Sequence, residues 1–233
     1  MSQAAVPLPP PSSSAPPPAT IRTEVMVPLR FSDGFATPAR VLTFDGLVDG
    51  REHLALGLGD RTTSMPRVAG ADGGTRPALV RLHSECLTGD VFGSQRCDCG
   101  PQMREAVELI AGEGGYLLYL RQEGRGIGLY GKLDAYALQD RGLDTYEANV
   151  ALGFSADARD YTVAAQMLAA LQVDSLALLS NNPDKARQLR RCGVSVAAQV
   201  PTAVHLSAAN GRYLAAKAQR GAHTFDIGLS SAG

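Results

Sequence analysis

The chain has 233 residues, 45% of them hydrophobic and 19% charged, with a formal net charge of −1. That length allows one domain or two small ones, and that composition supports a core without disulfide staples. The near-neutral charge excludes a global basic field for nucleic acid, the absence of Trp argues against a base-stacking platform, and no apolar run approaches the roughly 18 residues of a membrane span.

The first 21 residues carry no charged side chain, and Pro7 to Pro18 is mostly Pro, Ser and Ala. Proline fixes φ and removes backbone donors, so residues 1–24 read as a disordered tail. The tail has neither the basic start nor the apolar stretch of a secretory signal. The expected location is therefore the cytoplasm, where thiols stay reduced. The globular chain is expected from Val25 to about residue 220. Strand-like runs occupy Arg40–Phe44, Leu54–Leu58 and Ala78–Leu82, and the Gly/Asp-rich stretch at 70–74 reads as a loop. A helix is predicted from Pro101 to Ala111, with Met103, Ala106, Val107 and Ile110 on one face. A short apolar strand follows at Tyr116–Leu120, then a Gly-rich loop at Gln122–Gly128. Helices are predicted at Leu129–Asp140, at Arg159–Leu171 and from Pro183 to Gly193, with strands at Leu176–Leu179 and Val194–Val200. This alternation implies an α/β fold, a single globular domain with a mixed sheet flanked by helices. Residues 221–233 are small and polar and are expected to fray.

Cys86, Cys97 and Cys99 lie within fourteen positions, and Cys192 stands alone near a helix end. In a reducing compartment, clustered thiols point to a metal rather than to a disulfide. Three thiolates suit tetrahedral Zn²⁺ with a fourth position open for water. A closed site is the alternative, with His83 or Cys192 as fourth ligand, although the chain lacks the usual paired-Cys knuckles. Three thiolates donate much charge to a metal, so such a site needs help from nearby groups. Cys192 reads as a small buried hydrophobe.

Two strand–loop–helix units could seat a phosphate. The loop Arg121–Gly128 matches no standard phosphate loop. In the second unit, Asn182 can cap a helix and Pro183 can occupy its first turn, which leaves Lys185 unexplained. The chain has only three lysines, Lys132, Lys185 and Lys217, against nineteen arginines. A cation at a helix start is disfavoured by the dipole, so Lys185 hints at an anion there. By capping logic, Asp144–Glu147 and Ser155–Asp160 each read as the start of a helix.

Together these segments resemble the GTP cyclohydrolase II family. The resemblance rests on RLHSECLTGDVFGSQRCDCG (81–100), RQEGRGIGL (121–129), AYALQDRG (135–142), DTYEAN (144–149), ADARD (156–160) and NNPDK (181–185). It covers about residues 25 to 220. It implies Cys86, Cys97 and Cys99 as ligands of one zinc per subunit. It implies nucleotide contacts at Arg81, Leu82, His83, Ser84, Glu85, Gln102, Glu123, Gly124, Arg125, Thr145, Ser180 and Lys185. Within these, Glu123 would suit the guanine edge, and Ser180 stands where the family often has Thr. Tyr136 matches a tyrosine tied to loss of the formyl group, and Asp157 and Arg159 match the pair described as proton acceptor and nucleophile. A guanidinium stays protonated and is a poor nucleophile, so charge stabilisation at the α-phosphate suits Arg159 better.

The implied reaction is hydrolysis of GTP, the first step of riboflavin biosynthesis. The guanine imidazole ring opens at C8, formate and pyrophosphate leave, and 2,5-diamino-6-(5-phosphoribosylamino)pyrimidin-4-one forms. Mg²⁺ would accompany the GTP phosphates. The resemblance also implies a homodimer. No nucleic-acid or membrane partner is expected. A zinc-stabilised regulatory module without turnover is the competing class, but Asp157, Arg159 and Tyr136 argue against it.

Overall fold

A computed structural model describes residues 18–62, 77–155, 157, 159–207 and 209–211. Most of the expected N-terminal tail, the loop at 70–74 and the C-terminal stretch 221–233 lie outside the described residues. Seven strands form one sheet in the order β1-β2-β3-β5-β4-β6-β7. They are β1 (Thr20–Arg30), β2 (Ala36–Asp45), β3 (Leu54–Leu58), β4 (Ala78–Ser84), β5 (Gly115–Leu120), β6 (Ser175–Leu179) and β7 (Ser195–Val200). The helices are α1 (Leu87–Asp90), α2 (Cys99–Glu113), α3 (Gly128–Gln139), α4 (Thr145–Ala151), α5 (Thr162–Ala170) and α6 (Pro183–Arg191). The sheet is mixed. The pairs β1–β2, β2–β3 and β3–β5 are antiparallel, whereas β5, β4, β6 and β7 run parallel. The expected α/β class with a mixed sheet is what the molecule has.

Two expected boundaries move. β1 begins at Thr20, inside the stretch read as tail. It is an edge strand and mostly exposed, so it shows no buried alternation, and Pro28, Arg22 and Glu24 guard its open edge. α5 begins at Thr162 rather than Arg159. Asp157 does not cap it, because its carboxylate binds the Arg159 side chain, and Asp160 instead accepts from Thr162 N at 2.7 Å.

The central parallel strands β4 and β5 are buried on both faces, as crossover connections require, whereas β7 at the edge is mostly exposed. Val80 and Leu82 of β4, Leu118 and Leu120 of β5, and Leu176 and Leu178 of β6 pack with Val163, Met167 and Leu168 of α5 and Leu189 of α6. On the opposite face, Leu79, Leu117 and Leu179 pack with Ala106, Val107 and Ile110 of α2. Strand alternation puts Arg81 and His83 on that second face, in line with Leu79. The chain leaves β4 through α2 to β5 on one side and reaches β6 on the other through α5. Strand order therefore reverses at β4. A reversal of this kind opens a crevice at the carboxyl ends of the strands. No helix among the described residues is long and apolar enough to cross a membrane.

The short α4 is held by a capping box. The Asp144 carboxylate accepts from Tyr146 N and Glu147 N at 2.8 and 2.9 Å, and the Glu147 carboxylate accepts from Asp144 N at 3.0 Å. Asp144→Ala should lower stability by about 1 kcal/mol in urea unfolding. A loss of only a few tenths would mean that tertiary packing alone fixes α4.

Candidate active site

The loops that follow β4, β5 and β6 meet over the carboxyl ends of those strands and line a cavity of about 130 Å³, open to solvent. The loop after β4 brings the three thiols together. The potential ligand atoms of Cys86, Cys97 and Cys99 all lie within 4.8 Å of one another, and Cys86 Sγ is 3.6 Å from Cys97 Sγ. Tetrahedral zinc with bonds of about 2.3 Å to sulfur separates its sulfurs by about 3.8 Å, so the cluster fits that ion. Gly89 supports the fit. A Cβ there would lie 2.8 Å from Cys97 Sγ and 3.1 Å from Cys86 Sγ, so the cradle closes only over glycine. Hydrogen bonds from Cys97 and then Cys99 hold the Cys86 thiol far below its ordinary value, against the effect of burial, and Lys132 adds to the shift. The same contact pushes Cys97 upward. A cluster that holds one thiolate at its neighbours' expense is one that a cation would satisfy.

His83 and Cys192 take no part in this cluster. His83 points at the Asp90 carboxylate, 3.1 Å from each oxygen, and stacks on Tyr119. Asp90 also accepts from Cys86 N at 2.9 Å and from Tyr119 OH at 2.9 Å. His83 thus braces the metal loop through Asp90. Burial, only partly opposed by Asp90, keeps its imidazole below the usual value. Cys192 ends α6 and packs against the core of the other sheet face.

The cavity wall includes Arg81, His83, Ser84, Glu85, Gln102, Gly124, Arg125, Tyr136, Thr145, Arg159, Ser180 and Lys185. Two expected nucleotide contacts are not in it. Leu82 points to the opposite sheet face and is fully buried in the core. Only its backbone faces the site, and that carbonyl accepts from Lys185 Nζ at 2.7 Å. Glu123 turns inward. Its carboxylate accepts from Leu87 N at 2.7 Å, Lys132 Nζ at 2.9 Å and Gly124 N at 3.0 Å. With three partners in the protein, Glu123 fastens the loop that carries Cys86 to the turn after β5.

Five cations converge on the crevice. Arg81 is buried on the sheet and donates to Leu179 O at 3.1 Å and Gln102 Oε1 at 2.9 Å, while its Nε finds no protein partner. Burial lowers its pKa, and Cys99 and Asp98 oppose that shift. Arg125 sits at φ 62°, a left-handed conformation unusual for a side chain of its size, and stacks on Tyr146 at 4.2 Å. Such strain tends to collect where a loop is shaped for a ligand. Arg159 binds Asp157 through Nε at 2.9 Å and through a second guanidinium nitrogen. Burial alone would raise the Asp157 carboxyl, but Arg159 overrides it and holds the group below the ordinary range. The Asp157 carboxylate thereby fixes the direction of the Arg159 guanidinium. Lys185 lies in the first turn of α6. There Asn182 caps the helix and accepts from Asp184 N at 2.9 Å, while Ser180 Oγ accepts from Asn182 N at 3.0 Å. The Ser180 hydroxyl keeps its own proton to donate.

The fifth cation, Lys132, was not read from the sequence as a site residue. The scarcity of lysine in the chain is the one sequence signal that points to it. Gln122 was missed as well. It lines the cavity and donates to Asp160 O at 2.6 Å, tying the turn after β5 to the segment that carries Arg159. Tyr136 is steadied from two sides. The Arg96 guanidinium lies over its ring at 4.4 Å, and its hydroxyl is 3.5 Å from Thr88 Oγ1.

The family model for GTP cyclohydrolase II matches residues 22–201. A protein of Psychromonas ingrahamii named GTP cyclohydrolase-2 is 47% identical over 87% of this chain and 96% of its own length. One of that name from Vibrio cholerae is 49% identical over 81% of this chain and 90% of its own. The riboflavin biosynthesis protein RibBA of Bacillus subtilis is 50% identical over 79% of this chain and 44% of its own.

Gly89→Ala should weaken metal retention about 10-fold or more in competition with a chelator, with secondary structure intact by circular dichroism. Unchanged retention would show that the thiols relax around the added methyl group.

Proposed function

The chain belongs to the GTP cyclohydrolase II family and is an enzyme of that type, and from this premise we propose that it hydrolyses GTP with release of formate and pyrophosphate. The product is 2,5-diamino-6-(5-phosphoribosylamino)pyrimidin-4-one, and the reaction opens riboflavin biosynthesis. One observation carries the reading. A three-thiol cluster and a set of basic side chains face one cavity at the carboxyl ends of the parallel strands.

Cys86, Cys97 and Cys99 hold one zinc ion per subunit, which supplies Lewis acidity for hydrolysis at C8 of the guanine ring. Arg81, with its unpartnered Nε, and Gln102 orient the nucleotide beside that cluster. Ser84, Glu85, Gly124 and Thr145 complete the wall around it. Tyr136 stands beside Thr88 near the thiols, where its hydroxyl can donate to the formyl oxygen as formate leaves. Arg125, Arg159 and Lys185 bind the phosphates, which Mg²⁺ accompanies. Cleavage of the α–β phosphate bond consumes a water and releases pyrophosphate. Arg159, aimed by Asp157, offsets the charge that builds on the α-phosphate.

The same reading takes the chain from β1 onward as one catalytic domain, because a single sheet carries every part of the site. It also takes the active form as a homodimer in the cytoplasm.

The test is an assay of purified protein with GTP and Mg²⁺ that measures formate and pyrophosphate separately, before and after zinc is stripped. Both products should form, and formate should be lost with the zinc. Pyrophosphate without formate in the zinc-loaded protein would contradict the role of the thiol cluster. Arg159→Ala should slow pyrophosphate release about 100-fold or more. Release at the original rate would remove Arg159 from the chemistry.

A further inference from the structure

Lys132 is buried on α3 and spends all three of its donors inside the protein. Its Nζ lies 3.1 Å from Cys86 Sγ, 2.9 Å from Thr88 Oγ1 and 2.9 Å from Glu123 Oε1. Only 8% of the residue is exposed. Lysine is strongly hydrated in water, so a burial this complete needs a compensating task. Tethering the loop does not need a cation, because Glu123 already holds Leu87 N. What the ammonium adds is a charged donor aimed at one sulfur of the cluster.

The charges around the cluster show what that donor does. Three thiolates around a divalent ion sum to −1, and buried Glu123 adds a second negative charge. Buried Asp90 and Asp98 add further negative charge beside the thiols, which buried Lys132 and Arg81 offset in part. We propose that Lys132 is a positioning residue of the metal centre, which draws electron density from the Cys86 sulfur and so keeps a three-thiolate metal electrophilic. This rests on the reading that the cluster holds zinc. Sulfur that donates to an ammonium donates less to its metal, and outer partners of this kind tune a metal without touching it. The arrangement supplies the help that three thiolates lack compared with three neutral imidazoles.

Cobalt(II)-substituted holoprotein tests this, because the sulfur-to-cobalt charge-transfer band reads the electron density on sulfur directly. K132M should move that band to lower energy. It should also slow turnover about 10–100-fold while leaving the KM for GTP little changed. K132R keeps a charged donor and should move the band back toward its original position. E123Q keeps the ammonium beside the Cys86 sulfur, so its band should move clearly less than that of K132M. K132Q keeps an N–H donor without the charge and carries the test if K132M fails to fold, with a smaller shift in the same direction. An unmoved band in these Lys132 variants overturns the proposal. So does a shift in E123Q as large as that in K132M, which would mean that Lys132 acts only through Glu123. An unsubstituted protein with no such band overturns the zinc reading, and this inference with it.

Discussion

The site depends on one buried ion pair. Glu123 and Lys132 meet at 2.9 Å, with side chains 8% and 10% exposed. Burying two charges costs desolvation, and removing either partner of such a pair leaves the other uncompensated, typically at about 3–5 kcal/mol. The pair is supported by further bonds on both of its members. Glu123 also holds Leu87 N and Gly124 N, and Lys132 also holds Thr88 and Cys86. Three segments are joined at this point: the loop after β4, the turn after β5, and α3. They carry Cys86, Arg125 and Tyr136 respectively, so the thiols, a basic side chain and the tyrosine have fixed relative positions.

A near-zero net charge conceals this organisation. Arg81, Arg125, Arg159 and Lys185 all line one cavity, while the whole chain sums to −1. A low-dielectric crevice concentrates such a field, so a highly anionic ligand would meet strong local attraction there even though the chain as a whole is near neutral. The carboxylates in the region are used internally. Asp90 braces His83 and the Cys86 backbone, Asp157 aims Arg159, and Glu123 holds Lys132.

Much of this was legible in the sequence, where the signal was local. The Cys spacing gave the cluster. Asn182-Pro183 gave the start of α6, and Asp144 with Glu147 gave the start of α4. Signals that depend on distant partners were not legible. The carboxylate of Glu123 is used by Leu87, 36 residues earlier, a contact that no local pattern announces. Residues 155–160 read as a helix start, but the Asp157 carboxylate binds the Arg159 side chain and α5 begins at Thr162. The strand β1 is exposed and charged, and its pattern carries no buried face to read. Leu82 is different, because strand alternation places it with Val80, opposite Arg81 and His83, and could have excluded it from the cavity.

The central claim is an open metal centre held by three sulfurs. X-ray absorption at the zinc edge of the purified protein tests it most directly. The account predicts one zinc per chain with three sulfurs at about 2.3 Å and one lighter atom, without imidazole scattering. Four sulfurs, a histidine in the shell, or no zinc at all would contradict it.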